Sequence, residues 1–569
     1  MNLKPIVILL PLLFPRPAQA AGAAEPRLSS APVQAAQPSA VVQASTATAN
    51  VMLSGLLFLR DRNAVLAAGT PSVKGVVVRV PFLDRADFKA RMSPFLGRPL
   101  TKQTRNEILS AAIMFYREQG RPLVDISLPP QEITGGVLQV LALESKLGQV
   151  QVQGNRWFTA ERLTRQLRAR PGQYIDSKLL SGDLDWLNRN PFRQADLVYQ
   201  KGSEPGTTDL VLRETDRLPL RFYAGWEDSG TKVTGNDRLL GGMDWGNVFG
   251  RDGQLNLQYI TDPRFMRFGA TSLNLVQPLP WRHILTVFGS YTTTRGNLPR
   301  PFSLEGFNDQ LGIRYAVPLP ELASTRLDLR ETITAGFDFK RANNNLAFGG
   351  TQVFGAITDT FQWNLGYNAG LKDPWGETSL RATFFYSPGK WSVNDFDAVY
   401  RQSRAGATAR YSYVNAELDR TTGLPFGFTL MNRLTAQAAD SNLLAGEQLG
   451  FGGYDTIRGY DTRVVNSDQG FILNNELRAP AFRVLGHLGL RHLQDQLQLL
   501  GFYDYGSARN RHRLSGEAKS TALSGVGAGA RYSISEHFSF RADYGWQLRN
   551  AEVKRAYASR FHLGLVLSY

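Results

Sequence analysis

The chain has no cysteine in 569 residues, which excludes a disulfide framework and any thiolate metal ligand or nucleophile. Beyond its first twenty residues no stretch approaches eighteen consecutive apolar residues, so no transmembrane helix is expected there. Charged residues are scarce at 20%. The six histidines, His283, His487, His492, His512, His537 and His562, show no metal spacing such as HExxH. No GxxxxGKS/T loop and no GxSxG elbow occurs, and Gly525-Val526-Gly527-Ala528-Gly529 lies in a strand pattern that does not follow GxGxxG. No catalytic residue, cofactor or metal is therefore expected, and the chain does not read as an enzyme.

Glycine, by contrast, is plentiful: 54 of 569 residues, about 9.5% against an average near 7%. The chain is too long for one compact domain and, at 43% hydrophobic and 11% aromatic residues, too apolar for disorder. Lys4, the apolar run Ile6–Phe14 and Ala18-Gln19-Ala20 read as a signal peptide over residues 1–20, and the Ala-, Pro-, Ser- and Gln-rich stretch 21–50 reads as a flexible linker. Removing Lys4 and Arg16 lowers the formal charge from +15 to 15 − 2 = +13. An exported chain with no Lys/Arg run and no nucleic-acid module is not expected to bind nucleic acid.

Residues 51–217 mix helical and strand periods. Thr101 sits at an N-cap, Ile108, Ala111, Ala112 and Phe115 share one helical face, and Gly120 supplies the stop. A shorter helix runs from Asp84 to Met92, with strands at Leu123–Leu128 and Val137–Leu143. Either Val51–Leu59 or Val76–Val80 supplies the first strand. The order strand, helix, helix, strand, strand then repeats: Val150–Val152, a helix from Thr159 to near Arg170, a helix capped by Asp176, then Ala195–Gln200 and Asp209–Arg213. Two small α+β domains are expected, at 51–144 and 145–217.

From Leu218 to Tyr569 almost nothing has helical period. Segments of about ten residues alternate instead, as in Phe538, Phe540, Ala542, Tyr544, Trp546 and Leu548 against His537, Ser539, Arg541, Asp543, Gly545 and Gln547. About sixteen such segments begin near Leu218, Leu239, Leu255, Phe268, Ile284, Gln310, Leu327, Phe354, Ser379, Ala407, Phe428, Phe471, Leu497, Ala522, Phe538 and Phe561. So many strands of one pattern predict a membrane all-β fold over 218–569: a transmembrane antiparallel barrel of about 16 strands with lipid outside and a polar lumen. Between Ala439 and Gly470, the interval of about 440–469 carries Leu449, Phe451 and Tyr454, too apolar for disorder, and is expected to fold back onto the protein.

Tyr116-Arg117-Glu118-Gln119-Gly120, Leu128-Pro129-Pro130-Gln131 and Gly136-Val137-Leu138 resemble the first polypeptide-transport-associated (POTRA) domain of two-partner secretion transporters. Asn188-Arg189-Asn190-Pro191 and Gly206-Thr207-Thr208-Asp209-Leu210 resemble the second. Two departures stand out: Arg121-Pro122 replaces the aromatic that commonly follows the glycine, and no clear amphipathic helix of the pore-plugging kind precedes the first domain. Ile457-Arg458-Gly459-Tyr460 resembles the VRGF/Y signature of the superfamily's sixth loop, which in relatives reaches down inside the barrel. An arginine so placed needs a carboxylate. The alternation of Leu497–Gly506 points Phe502 and Asp504 inward, and Phe502-Tyr503-Asp504 resembles the family's inward Phe-x-Asp/Gly pattern, so an Arg458–Asp504 pair is expected; the alternative is a solvated surface arginine. The last strand, Phe561, Leu563, Leu565, Leu567 and Tyr569, resembles the signal by which outer-membrane barrels are recognised for assembly.

The resemblance to the hemolysin and filamentous-hemagglutinin secretion/activation proteins implies a bacterial outer-membrane transporter whose periplasmic POTRA domains receive a secreted partner polypeptide while it is unfolded. It implies as further partners the outer-membrane lipid and, during biogenesis, periplasmic chaperones and the barrel assembly machinery. The competing readings are a barrel-protein or autotransporter assembly factor of the same superfamily, which commonly carries three or more such domains, and a general porin, which lacks them.

Overall fold

The computed structural model describes residues 51–70, 72–299, 301–320, 328–348, 351–486, 489–490, 493–513, 515, 518–550 and 558–569. The expected signal peptide and linker lie outside these, as do Leu327, His487 and His492. The described residues divide into two compact units, one ending at Leu218 and one beginning at Pro219.

In the first unit both candidates for the opening strand are used. β1 (Gly55–Leu59) lies between β2 (Gly75–Val78) and β4 (Val137–Glu144), parallel to each, and β3 (Val124–Ser127) pairs antiparallel to β4. All five residues of β1 are buried, as a strand covered on both faces requires. Leu56 and Phe58 face α1 (Ala86–Met92) and α2 (Lys102–Glu118), where Phe88 stacks edge-on between Phe58 and Phe115 at 4.9 Å each. Leu57 and Leu59 pack with Leu141 on the other side. α2 starts where Thr101 Oγ1 accepts the Thr104 N–H (3.1 Å) and stops at Gly120, whose φ of +83° a side chain would disfavour.

The second sheet has the order β5 (Lys146–Gln153), β7 (Thr207–Asp216), β6 (Arg193–Lys201) and carries α3 (Ala160–Gln166) and α4 (Ser177–Leu187). Asp176 caps α4 by accepting from the Lys178 and Leu179 N–H groups. α3 ends four residues before the expected Arg170, because the Arg168 N–H is taken by buried Asp183 (2.7 Å) instead of continuing the helix. Arg121, the departure noted above, joins the two modules. Its guanidinium lies 3.9 Å from the Phe82 ring centre and 5.0 Å from that of Tyr174, and it bonds Glu144 at 2.9 Å.

The second unit is a closed antiparallel barrel of sixteen wall strands. These are β8 (Leu220–Glu227), β9 (Arg238–Val248), β10 (Gly253–Thr261), β11 (Phe268–Pro278), β12 (Ile284–Gly296), β13 (Phe302–Pro318), β14 (Asp328–Phe348, extended by the short β15, Thr351–Phe354), β16 (Ile357–Asp373), β17 (Gly376–Ser387), β18 (Tyr411–Gly423) and β19 (Thr429–Ala439). The inward loop follows, with its hairpin β20 (Leu449–Phe451) and β21 (Val465–Ser467), and then β22 (Gln469–Arg478), β23 (Asp495–Arg509), β24 (Thr521–Ile534), β25 (Phe538–Gln547) and β26 (Ser559–Ser568).

Alternation fixes the faces. Leu311, Ile313, Trp363, Leu365, Leu499 and Tyr503 point outward and are exposed for lipid, whereas Asp338, Gln362, Asn364, Phe502 and Asp504 point inward and are buried. Two strand starts differ from expectation. β13 begins at Phe302 instead of Gln310, because Leu304 turns inward while polar Ser303 and Glu305 take the outward face, which breaks the expected pattern. β18 begins at Tyr411 instead of Ala407, which belongs to an outer loop holding a helix the periodicity did not reveal, α5 (Asp397–Ser403), packed through buried Tyr400. β26 and β8 close the barrel over five registered pairs, while every other neighbouring pair of wall strands shares eight or more.

Candidate functional site: the inward-folded loop

The segment between β19 and β22 enters the barrel through the β20–β21 hairpin, and its tip packs on the inner wall. Ile457 is fully buried with Phe451, Tyr460, Ile472, Ala508 and Leu523, so apolar contact seats the tip as in a soluble core. The backbone can come this close because the wall is stripped of side chains beneath it. A Cβ on Gly459 would fall 3.1 Å from the Gly545 carbonyl carbon, and one on Gly525 would collide with the Arg458 carbonyl oxygen. The inward glycines of Gly525-Val526-Gly527-Ala528-Gly529 are the floor of the site: the Phe502 ring lies over Gly527 and the Asp543 carboxylate over Gly529.

Arg458, 3% exposed, donates from Nε to Asp504 Oδ2 (2.7 Å) and from Nη2 to Oδ1 (2.8 Å), while its own backbone N–H donates to Oδ2 (3.0 Å). Asp504 is fully buried and also accepts from Asn474 at 2.8 Å. The guanidinium carbon sits 3.6 Å from the Phe502 ring centre, so the two inward residues of Phe502-Tyr503-Asp504 hold one cation by its plane and its edge. Nη1 donates to Glu476 Oε1 at 2.6 Å and lies 3.8 Å from Asp543. Arg478 pairs with Glu476 (2.6 Å) and Arg531 with Asp543 (2.8 Å). Three arginines and three carboxylates leave the cluster at 3 − 3 = 0 formal charge, which is how so many ions are tolerated out of bulk water.

The rest of the motif is used as well. Gly459 N–H faces His562 Nε2 at 3.3 Å, and its carbonyl accepts from Gln547 Nε2 at 2.7 Å. Tyr460 O–H donates to the Ser524 carbonyl at 3.0 Å. Asp461 pairs with Arg560 on β26 and with Lys232 in the turn after β8. On the far side of the loop a cavity of about 520 Å³ remains, lined by Asn308, Gln310, Arg314, Asn343, Arg381 and Asn415 among others.

The terminal residues Phe561, Leu563, Leu565, Leu567 and Tyr569 occupy alternate outward positions of the last strand and the residue after it, away from the loop. The Tyr569 backbone exchanges two hydrogen bonds with Phe222 (2.9 and 3.0 Å). Among the described residues no group of three or more potential ligands could hold a metal ion.

A family model described as haemolysin secretion/activation protein ShlB/FhaC/HecB matches residues 206–532. The chain belongs to this family. As a haemolysin secretion/activation protein it is an outer-membrane barrel transporter that moves an exported partner polypeptide, and it is not an enzyme. It is 24% identical over 420 residues to the outer membrane transporter CdiB of Dickeya dadantii, covering 71% of this chain and 72% of that one. It is 22% identical over 497 residues to the heme/hemopexin transporter protein HuxB of Haemophilus influenzae, covering 84% and 82%. In fold it resembles the solved structure of CdiB from Escherichia coli, with a TM-score of 0.72 at 16% identity over 93% of each chain.

Within this family member, sequence reasoning reached Arg458, Phe502 and Asp504 but missed Glu476, Arg531 and the glycine floor. It placed Asp543 on an inward face and did not connect it to the loop. The signal for the floor was available in glycine recurring with period two on one face of a strand, which marks close backbone approach.

Proposed function

We propose that residues 51–144 and 145–217 act as two POTRA domains that take hold of the exported partner while it is unfolded. Each sheet offers edge strands, β2 and β3 in one and β5 and β6 in the other, to which an extended chain can be added through main-chain hydrogen bonds that tolerate varied sequence. The partner then moves through the polar lumen to the surface, where folding opposes its return. The motif Ile457-Arg458-Gly459-Tyr460, with Phe502 and Asp504, keeps the loop at the inner wall during transport. The row Phe561, Leu563, Leu565, Leu567 and Tyr569 is the assembly signal, presented to periplasmic chaperones and the barrel assembly machinery after the 1–20 signal peptide is removed.

The observation that supports this reading is the seating of the 440–469 loop on one side of a sixteen-strand barrel, beside an open polar cavity. Deleting the gene while following surface delivery of the partner is the test. Loss of that partner alone is the expected result, unchanged delivery sinks the proposal, and a general loss of other barrels favours an assembly factor instead.

A further inference from the structure

Eleven residues before Arg458, the loop carries a second buried charge. The Glu447 side chain is 3% exposed and lies on the other flank of the loop's root. Its Oε1 accepts from Lys340 Nζ on β14 at 2.6 Å, and its Oε2 accepts from Gln362 Nε2 on β16 at 2.8 Å and from Tyr413 O–H on β18 at 2.7 Å. Gln362 Nε2 also reaches Tyr411 O–H at 2.6 Å, and the Glu447 carbonyl accepts from Gln437 Nε2 on β19 at 2.9 Å. Four strands thus converge on one loop residue, and both carboxylate oxygens are satisfied by donors of which one is a cation. The Arg458 cluster draws on β22, β23, β24 and β25. The two sets share no strand and no side chain.

We propose that Glu447 is a second positioning residue of the loop, an anchor to the β14–β19 arc of the wall that works independently of Arg458. Removing the carboxylate leaves Lys340 and Tyr413 without their shared acceptor inside the wall, so the contact is specific and not generic packing. Groups with no shared partners act additively. Two anchors on one short segment hold it in parallel, because each keeps the other contact intramolecular. A loop freed at one anchor therefore stays seated by the other, and full release requires the loss of both. This inference concerns where the loop is held and does not rest on what the partner is.

The absence of native cysteine makes the test clean. Thr456 Oγ1 is shielded from solvent beside the motif, so Thr456→Cys places a single thiol that reports loop release. Labelling of the full-length chain in outer membranes with a hydrophilic maleimide is compared in four backgrounds: unaltered, Glu447→Gln, Arg458→Ala and both together. Each single change is expected to speed labelling by up to about ten-fold, and the pair by about the product of the two, up to about a hundred-fold. In the Arg458→Ala background, Glu447→Lys is expected to label as fast as the double variant, and adding Lys340→Glu to it is expected to slow labelling again in part, which a merely structural role would not do.

If the double variant labels no faster than Arg458→Ala alone, Glu447 is not an anchor. If Glu447→Gln alone frees the loop fully, the anchors are not independent. Should the double variant fail to form a heat-modifiable barrel, the milder pair Lys340→Met with Arg458→Lys carries the same comparison.

Discussion

Gly459 of the inward loop lies so close to Gly545 of the wall that a side chain on Gly545 would collide with it, while its own φ of +95° disfavours any residue but glycine. A Cβ on Gly545 would stand 2.6 Å from the Gly459 nitrogen, and one on Gly459 would stand 3.1 Å from the Gly545 carbonyl. The loop is therefore docked backbone to backbone, and the ion pairs around Arg458 work at a distance that only glycine permits. This geometry explains why one arginine can reach three wall strands at once.

Gly525→Ala should damage the site as much as a charge deletion, since the new methyl would strike the Arg458 carbonyl. Gly501→Ala on the neighbouring strand meets nothing nearer than 3.9 Å and is the matched control. Secretion and the temperature at which the folded band is lost on semi-native gels are the measurements. Equal behaviour of the two variants would refute the close approach.

Arg458→Asp and Asp504→Arg should each remove most secretion, because breaking a buried pair costs about 3–5 kcal/mol. The double swap should recover only part of it. Glu476 and Asp543 remain in place and would repel a carboxylate at position 458. A double swap no better than either single change would argue against direct pairing.

Asp461 joins the two sides of the barrel's shortest seam, through Arg560 on one side and Lys232 on the other. Asp461→Asn should accelerate amide hydrogen exchange in Gly564–Ser568 by about ten-fold, equivalent to ~1.4 kcal/mol of local stability. Amides of the β16–β17 pair should be unaffected. Uniform acceleration around the wall would mean general loosening and not a seam contact.

Arg121→Ala should loosen the joint between the two N-terminal modules by about 0.5–1 kcal/mol through the lost contact with Tyr174, while the lost Phe82 stacking and Glu144 pair act within the first module. The Ser177 amide, which donates to the Gly120 carbonyl at 2.8 Å across this joint, is the reporter by hydrogen exchange. Arg121→Phe should be intermediate, since its ring can still pack on Tyr174 across the joint and cannot pair with Glu144.

Sequence by itself determined the barrel, because period-two alternation over 352 residues (569 − 217) leaves one apolar face per strand and lipid is the solvent that face requires. It also determined the small domains' repeat through caps and stops such as Thr101, Asp176 and Gly120, which act within a few residues of where they stand. It pointed Asp504 and Asp543 inward by parity alone. Tertiary structure decided what parity cannot reach. Which inward residues meet the loop depends on strand register and on how deep the loop descends, so Glu476, Asp543 and Arg531 joined Arg458 only in three dimensions. The same holds for Glu447, whose partners Lys340, Gln362 and Tyr413 lie 34 to 107 residues away along the chain. Helix α5 was hidden for the opposite reason: at seven residues it is too short to show a period, and buried Tyr400 holds it in place.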